Sequence, residues 1–161
     1  MKELSEEEAL YKAAAYCSMA EHCLSEVSEK LENWGVPTEG RTRILKKLET
    51  EKYINEERYC RFFIHDKFTY NKWGRNKIAQ ALRQKKIDSE KSAPLLESLI
   101  DAEEYQETLR SLLEAKRKTV KARNEYELKG KLIRFALGRG YEMNEICQCL
   151  PGKDTDEYMD E

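Results

Sequence analysis

The chain has 161 residues, of which 40% are hydrophobic and 37% are charged, and its formal net charge is −2. No apolar run approaches the roughly 18 residues that a membrane-spanning helix requires, and the acidic start of the chain is unlike a signal peptide, so we expect a cytoplasmic protein without a membrane span. Glycine (7) and proline (3) are scarce, which favours helices and excludes long irregular loops.

Apolar residues recur at spacings of three and four, which predicts helices along almost the whole chain. In chain order we place them at 6–22, 25–34, 38–51, 55–70, 74–85, 89–99, 101–118, 124–138 and 143–150. Ser25, Asn55 and Asp88 are residue types that favour the N-cap of a helix, and Gly35 is typical of a residue just past a C-terminus.

Three segments of the chain share one apolar pattern, in which the second apolar residue follows the first by four positions and the third follows the second by five. Its members are Val27, Leu31 and Val36, then Ile78, Leu82 and Ile87, then Leu132, Ala136 and Tyr141. A period of about 50 residues indicates tandem repeats, each a small three-helix unit that needs its neighbours to bury enough apolar surface.

The sequence therefore predicts an all-α protein of three tandem helix-turn-helix-like repeats in an elongated array. We place the repeats at 6–53, 54–100 and 101–150. The acidic residues 151–161 have no periodicity and are predicted to form a disordered tail.

Charge is arranged in blocks that the small net charge conceals. Residues 61–86 carry 8 basic and 1 acidic side chains, residues 116–139 carry 9 basic and 2 acidic ones, and the segments around them are acidic. A basic stripe is typical of a surface that binds nucleic acid or an acidic partner. Ordinary solvated helix faces have the same composition, so charge alone leaves both interpretations open.

Two stretches of the second repeat resemble the central motif of the bacterial RecX regulators. They are NEERYCRFF at 55–63 and WGRNKIAQALRQKKID at 73–88, which contain an acidic pair, Arg and an aromatic residue, then Gly-basic-x-x-Ile-x-x-x-Leu-x-x-Lys-x-Ile. Residues 48–54 and 132–141 are similar to the ends of the first and third repeats of that family, so the resemblance runs from about Ala13 to Leu150. Lys86 departs from it, because the family often has glycine there.

This resemblance implies three tandem three-helix repeats and a regulator that binds the filament of RecA recombinase on single-stranded DNA and usually inhibits it. The partners implied are RecA and, with weaker binding, single-stranded DNA, while contact with duplex DNA is left open. No cofactor and no membrane is implied, and we expect a monomer. The alternative from another class is a helix-turn-helix transcription factor that binds DNA directly.

Given the family, the basic residues of the two positive blocks are the candidates for contact with a partner or with phosphate. The candidate set is Lys72, Arg75, Lys77, Arg83, Lys85, Lys86, Arg117, Lys118, Lys121, Lys131, Arg134 and Arg139. We expect the basic face of the helix at 74–85 to be exposed.

Aromatic residues beside the first basic block admit two interpretations. Trp73 and Tyr70 can stack on bases, although packing is the more common role. Tyr59, Phe62 and Phe63 have the spacing of a buried helical stripe.

The sequence contains no pattern typical of an enzyme. Gly138-Arg139-Gly140 is not followed by the residues of a phosphate-binding loop. The five cysteines include no Cys-x-x-Cys, and with only two histidines they predict reduced packing thiols and no metal site. We therefore expect no catalytic residues and no metal ligands.

Overall fold

The computed structural model of the protein describes residues 4–150, which form α-helices and no strand. The helices are α1 (Glu6–Met19), α2 (Leu24–Asn33), α3 (Thr38–Thr50), α4 (Glu56–Thr69), α5 (Arg75–Gln84), α6 (Ser89–Leu99), α7 (Ala102–Arg117), α8 (Glu125–Gly138) and α9 (Met143–Cys149). The predicted tail at 151–161 lies outside the described residues.

The predicted helix boundaries agree with the structure to within one residue, except at the end of α1. That helix stops at Met19, three residues early, because Ala20 is extended. His22, in the connection between α1 and α2, stacks its ring on Tyr16 with the ring centroids 3.8 Å apart. Its Nδ1 lies 3.3 Å from the carboxylate of Glu26, in the first turn of α2.

The prediction that Ser25 caps α2 was wrong. The N-cap is Cys23, whose backbone N–H donates to the Glu26 carboxylate at 3.1 Å. Asn55 does cap α4, since its side-chain oxygen accepts from the Arg58 N–H at 3.0 Å. Asp88 likewise accepts from the Glu90 N–H at 3.0 Å at the start of α6.

All nine positions of the repeated apolar pattern are buried, as predicted. The turn in each copy also has one geometry, with a residue of positive φ at Gly35, Lys86 and Gly140. The N–H of the next residue donates back to a helix carbonyl: Val36 to Leu31, Ile87 to Leu82, and Tyr141 to Ala136. This arrangement satisfies the free carbonyls at a helix end and fixes the entry of the following helix.

The chain divides into two compact units. The first unit contains the residues up to Phe63 together with Leu82–Ser92. The second contains Ile64–Ala81 and the residues from Ala93 onward. The boundaries of the three sequence repeats stay a prediction.

One member of the predicted aromatic stripe in α4 is exposed. Tyr59 is buried and Phe63 is partly buried, but Phe62 is 59% exposed. The buried line follows Cys60 and Ile64. Phe62 lies two residues from both of them, about 200° around the helix, and therefore points the other way.

Candidate basic binding surface

Arg75 is not on an exposed face, contrary to the prediction. Its side chain is only 18% exposed, and its Nη1 lies 3.0 Å from Glu142 Oε2 and 3.9 Å from Glu145 Oε1. The guanidinium also stacks 3.9 Å from the centroid of the Tyr105 ring. Arg75 therefore ties α5 to α7 and to the start of α9, and most of its side chain is covered.

Five more candidate cations have partners within the chain. Three form ion pairs: Lys85 with Glu26 at 3.0 Å, Arg117 with Glu125 at 3.2 Å, and Lys131 with Glu127 at 3.2 Å. Arg139 donates a hydrogen bond to the Asn71 carbonyl at 2.7 Å, and Lys77 Nζ lies 4.6 Å from the Trp73 ring centroid. Several of these side chains stay partly exposed, so a competing anion can reach them.

The other six candidates are exposed, and within residues 4–150 none of their side chains takes part in an ion pair. These are Lys72, Arg83, Lys86, Lys118, Lys121 and Arg134. Arg83 and Lys86 belong to the first compact unit, whereas the other four belong to the second. Their charges are available to an external anion, as the prediction requires.

In the first unit, side chains attach the start of α2 to the turn after α5. The Ser25 hydroxyl donates to the Lys85 carbonyl at 2.6 Å, and the Glu26 carboxylate pairs with the Lys85 ammonium. The Leu24 N–H donates to the Glu56 carboxylate at 3.1 Å, which satisfies a free donor at the start of α2. We call this contact the first junction.

In the second unit, the start of α5 lies against the turn after α8, and here the backbones touch. The Gly74 N–H donates to the Arg139 carbonyl at 2.8 Å, and the Asn76 N–H donates to the Gly140 carbonyl at 2.9 Å. A Cβ on Gly74 would overlap the Gly140 backbone. We call this contact the second junction.

Tyr105 lies beneath the second junction and is fully buried. Its hydroxyl accepts from the Arg75 N–H at 2.9 Å and donates to the Glu142 carboxylate. Burial, reinforced by the Glu142 hydrogen bond, raises the pKa of Tyr105 far above its ordinary value. The phenol therefore stays a neutral donor at any physiological pH.

Cations and aromatic rings alternate on one part of the second unit. Lys67 Nζ and Lys77 Nζ lie 5.1 and 4.6 Å from the Trp73 ring centroid, and Lys116 Nζ lies 5.0 Å from that of Phe135. The Arg139 guanidinium lies 6.0 Å from the Phe135 ring centroid and donates to the carbonyl of Asn71, two residues before Trp73. We call these six residues, Lys67, Trp73, Lys77, Lys116, Phe135 and Arg139, the Trp73–Phe135 surface.

Four members of this surface, Lys67, Trp73, Lys116 and Phe135, are not among the twelve candidate cations, although the sequence offered Trp73 as a ring for base stacking. Lys67 lies only six residues before Trp73, inside the first basic block, and that proximity was a usable signal. Lys116 and Phe135 lie 19 residues apart on different helices, so only the packing of α7 against α8 reveals the contact.

No helix among the described residues is long and apolar enough to cross a membrane, and no three of their His, Cys, Asp or Glu side chains gather where they could hold a metal ion. The five cysteines are unbridged. Burial raises the pKa of the Cys60 thiol to about 11, which keeps it protonated and unreactive at neutral pH.

Comparison with known families identifies two parts of the chain. A model of the second three-helix domain of RecX matches residues 55–91, and a model of the third three-helix domain of RecX matches residues 103–150. Together they cover just over half of the chain. No curated protein sequence gives a significant match.

Two solved structures share the fold. The crystal structure of RecX from Lactobacillus salivarius aligns with a TM-score of 0.79 at 20% identity, over 96% of this chain and 96% of that one. A crystal structure of regulatory protein RecX aligns with a TM-score of 0.79 at 21% identity, over 89% of this chain and 72% of that one. The all-α architecture of three-helix domains is thus confirmed, and with both domain models matching, the chain belongs to the RecX family of regulatory proteins.

Proposed function

We propose that this protein is a cytoplasmic regulator that binds the filament of RecA on single-stranded DNA and inhibits the recombinase and ATPase activities of RecA. The observation that carries the proposal is the match of the second and third RecX domain models to residues 55–91 and 103–150. These ranges contain both positive blocks of the sequence, at 61–86 and 116–139.

The distribution of unpaired charge supports this function. A RecA–DNA filament offers phosphates, and six exposed cations without an internal carboxylate partner are suited to such an anionic surface. The paired cations, such as Arg75 with Glu142, stabilise the helices that carry them.

The charge of the last helix in the second and third repeats counts against the transcription-factor alternative. In a helix-turn-helix protein the last helix of the unit enters the major groove of DNA. Here α6 has Glu90 and Glu97 against one Lys91, and α9 has Glu145 and no basic residue, so phosphate would repel both helices. In the first repeat α3 is basic, with four Lys or Arg side chains against two Glu, so the alternative retains that one helix.

The decisive experiment measures DNA-dependent ATP hydrolysis and strand exchange by RecA over a titration of this protein. We expect inhibition at amounts below those of RecA, together with weak binding to bare DNA. An unchanged RecA activity would contradict the proposal. Tight, sequence-selective binding to duplex DNA without RecA would favour the transcription factor instead.

Charge reversal of exposed cations then tests the surface itself. The variant Arg83→Glu/Lys86→Glu should inhibit RecA less strongly, because it removes two unpaired cations without touching an internal ion pair. If both cations contact phosphate, log Kd against log salt should become shallower by about 0.7 for each on single-stranded DNA. Lys46→Glu/Lys47→Glu on α3 is the matched control, since both lysines are exposed and lie outside the positive blocks. If the two variants lose RecA inhibition equally, the loss is due to the change in overall charge and not to contacts of Arg83 and Lys86.

A further inference from the structure

The turn after α2 has the geometry of the turns after α5 and α8, but its surroundings differ. Gly35, Lys86 and Gly140 occupy the same position in the three turns, and each has a positive φ. A Cβ on Gly140 would overlap Lys77 at the start of α5, whereas nothing lies within 4 Å of a Cβ on Gly35, which is exposed. We call Trp34, Gly35 and Val36 the α2 turn.

At both junctions a helix start donates a hydrogen bond to the carbonyl just before the residue of positive φ. The Lys85 carbonyl accepts from the Ser25 hydroxyl at 2.6 Å, and the Arg139 carbonyl accepts from the Gly74 N–H at 2.8 Å. The equivalent carbonyl of the α2 turn belongs to Trp34, and no group within residues 4–150 donates to it. The α2 turn therefore keeps available the acceptor that both junctions use.

A cation lies beside the α2 turn, as it does at the first junction. There the Lys85 ammonium pairs at 3.0 Å with Glu26, a carboxylate in the first turn of α2. Beside the α2 turn the Lys12 ammonium lies 4.4 Å from the centroid of the Trp34 ring, and it forms no ion pair with the rest of residues 4–150. A helix start that matches this turn therefore has a carboxylate in its first turn, where the helix dipole also favours negative charge.

A second copy of this chain does not supply such a helix start through the repeat. The helix of the third repeat that corresponds to α2 and α5 is α8, and it begins about one turn earlier relative to the repeated apolar pattern. The carboxylates in its first turn, Glu125 and Glu127, are already paired with Arg117 and Lys131. The repeat therefore favours a helix of another protein as the occupant of the α2 turn.

We propose that the α2 turn and Lys12 bind the start of an α-helix of another protein, whose first turn has a hydroxyl group and a carboxylate. The hydroxyl donates to the Trp34 carbonyl, and the carboxylate pairs with the Lys12 ammonium. This contact reproduces in a complex what Ser25 and Glu26 do within the chain at the first junction. The inference goes beyond the proposed function, because it does not depend on which protein supplies the helix.

The probe for this site is a peptide of residues 23–33, which copies the helix start of the first junction. Cys23→Ser removes its thiol, and a covalent staple between positions 29 and 33 holds it helical. Ser25→Ala/Glu26→Gln gives a matched control peptide that lacks both groups proposed to bind.

Fluorescence of Trp34 measures the binding. The chain has two tryptophans, so Trp73→Phe in the full chain leaves Trp34 as the only one. We expect the probe to shift the Trp34 emission in a saturable way and the control peptide to bind about 5- to 30-fold more weakly. Equal binding of the two peptides, or no response to either, would overturn the proposal.

An exchange of charges tests the pairing with Lys12. Lys12→Glu in the full chain should weaken binding of the probe about 2- to 10-fold, and a peptide with Glu26→Lys should recover that loss on the variant but not on the wild type. Lys46→Glu, at an exposed position on α3, reverses the same charge and should leave binding nearly unchanged. Equal losses in Lys12→Glu and Lys46→Glu, without recovery, would contradict the pairing.

Amide NMR signals of the wild-type chain give a measurement that does not need Trp73→Phe. The probe should shift the signals of Gly35 and Val36 more than those of Lys85 and Lys86. The reverse order would overturn the proposal, because the peptide would then have displaced α2 from the first junction. Dimer formation in sedimentation, with a parallel change in Trp34 emission, would also overturn it by identifying a second copy as the occupant.

Discussion

At the first junction the start of α2 contacts the turn after α5 through side chains, whereas at the second junction the start of α5 contacts the turn after α8 through backbone. The repeat makes the two contacts equivalent, since Cys23 corresponds to Gly74 and Lys85 to Arg139. Ser25 donates to the Lys85 carbonyl in one case, and the Gly74 N–H donates to the Arg139 carbonyl in the other.

The difference shows what two glycines change at one structural position. Gly74 and Gly140 have no Cβ, so the two backbones approach closely enough for N–H groups at the start of α5 to donate to carbonyls of the turn after α8. The first junction has Cys23 and Lys86 at these positions, and a hydroxyl and an ion pair span the larger gap. The second junction is therefore sensitive to side-chain volume, and the first to charge.

Adding one methyl group to the second junction has the largest expected effect. Gly74→Ala would place a Cβ 2.5 Å from the Tyr141 nitrogen, so the α5 start must move and its hydrogen bonds to Arg139 and Gly140 must weaken. We expect the free energy of unfolding to fall by about 3 kcal/mol. Urea denaturation followed by circular dichroism measures it.

Gly138→Ala is the matched control for that substitution. Nothing lies within 4 Å of a Cβ at Gly138, and this residue ends α8 with a φ outside the positive region. Alanine there should leave stability unchanged or raise it by up to about 1 kcal/mol. If Gly74→Ala were as well tolerated as Gly138→Ala, the close backbone contact of the second junction would be wrong.

The stability that the first junction contributes should depend on pH, because it includes the ion pair of Glu26 with Lys85. Burial opposes ionisation of Glu26, but hydrogen bonds from the Lys85 ammonium and the Cys23 N–H outweigh it and hold the pKa of Glu26 below its ordinary 4.5. A depressed folded-state pKa stabilises the protein above the unfolded value, and that stability is lost as the pH falls through the folded value. Glu26→Gln should therefore cost about 1 kcal/mol at pH 7 and progressively less below pH 4.5.

Stability curves from pH 7 to pH 3 measure this convergence. The carboxylates of Glu6 and Glu127 also have a lowered pKa, through hydrogen bonds from Arg43 and Arg123 respectively, so the wild type and the variant both lose stability in acid. The difference between the two curves isolates Glu26. Glu32→Gln, at an exposed position on the same helix, is the control, and its curve of stability against pH should be parallel to that of the wild type. Parallel curves for Glu26→Gln would contradict the ion pair with Lys85.

The comparison also shows which features the sequence could predict. The helix positions and the nine buried residues of the repeat depend on contacts between residues a few positions apart. Apolar residues at spacings of three and four reveal such contacts in the sequence. The pairing of Arg75 with Glu142 joins residues 67 positions apart, so a basic side chain assigned to an exposed face was in fact internal. The same limit applies to Phe135, because its contact with Lys116 exists only once α7 and α8 pack together.

The smallest expected effect comes from giving the first junction the glycine of the second. Lys86 has a φ of 63°, a left-handed conformation that is unfavourable for a residue with a side chain. The equivalent Gly140 also has a positive φ, but it has no side chain and adopts this conformation without strain. Lys86→Gly should raise the free energy of unfolding by about 1 kcal/mol in thermal or urea denaturation. Lys86→Ala keeps the Cβ and should give no such gain.

These two variants also separate stability from binding, because Lys86 is one of the six unpaired cations. Both remove its charge, so both should weaken inhibition of RecA to the same degree, although only Lys86→Gly becomes more stable. That pattern would mean that the lysine is kept at a strained turn for its contact with the partner. If both variants inhibit RecA as well as the wild type does, Lys86 has no part in the binding surface. The strain at this turn would then serve neither stability nor the proposed function.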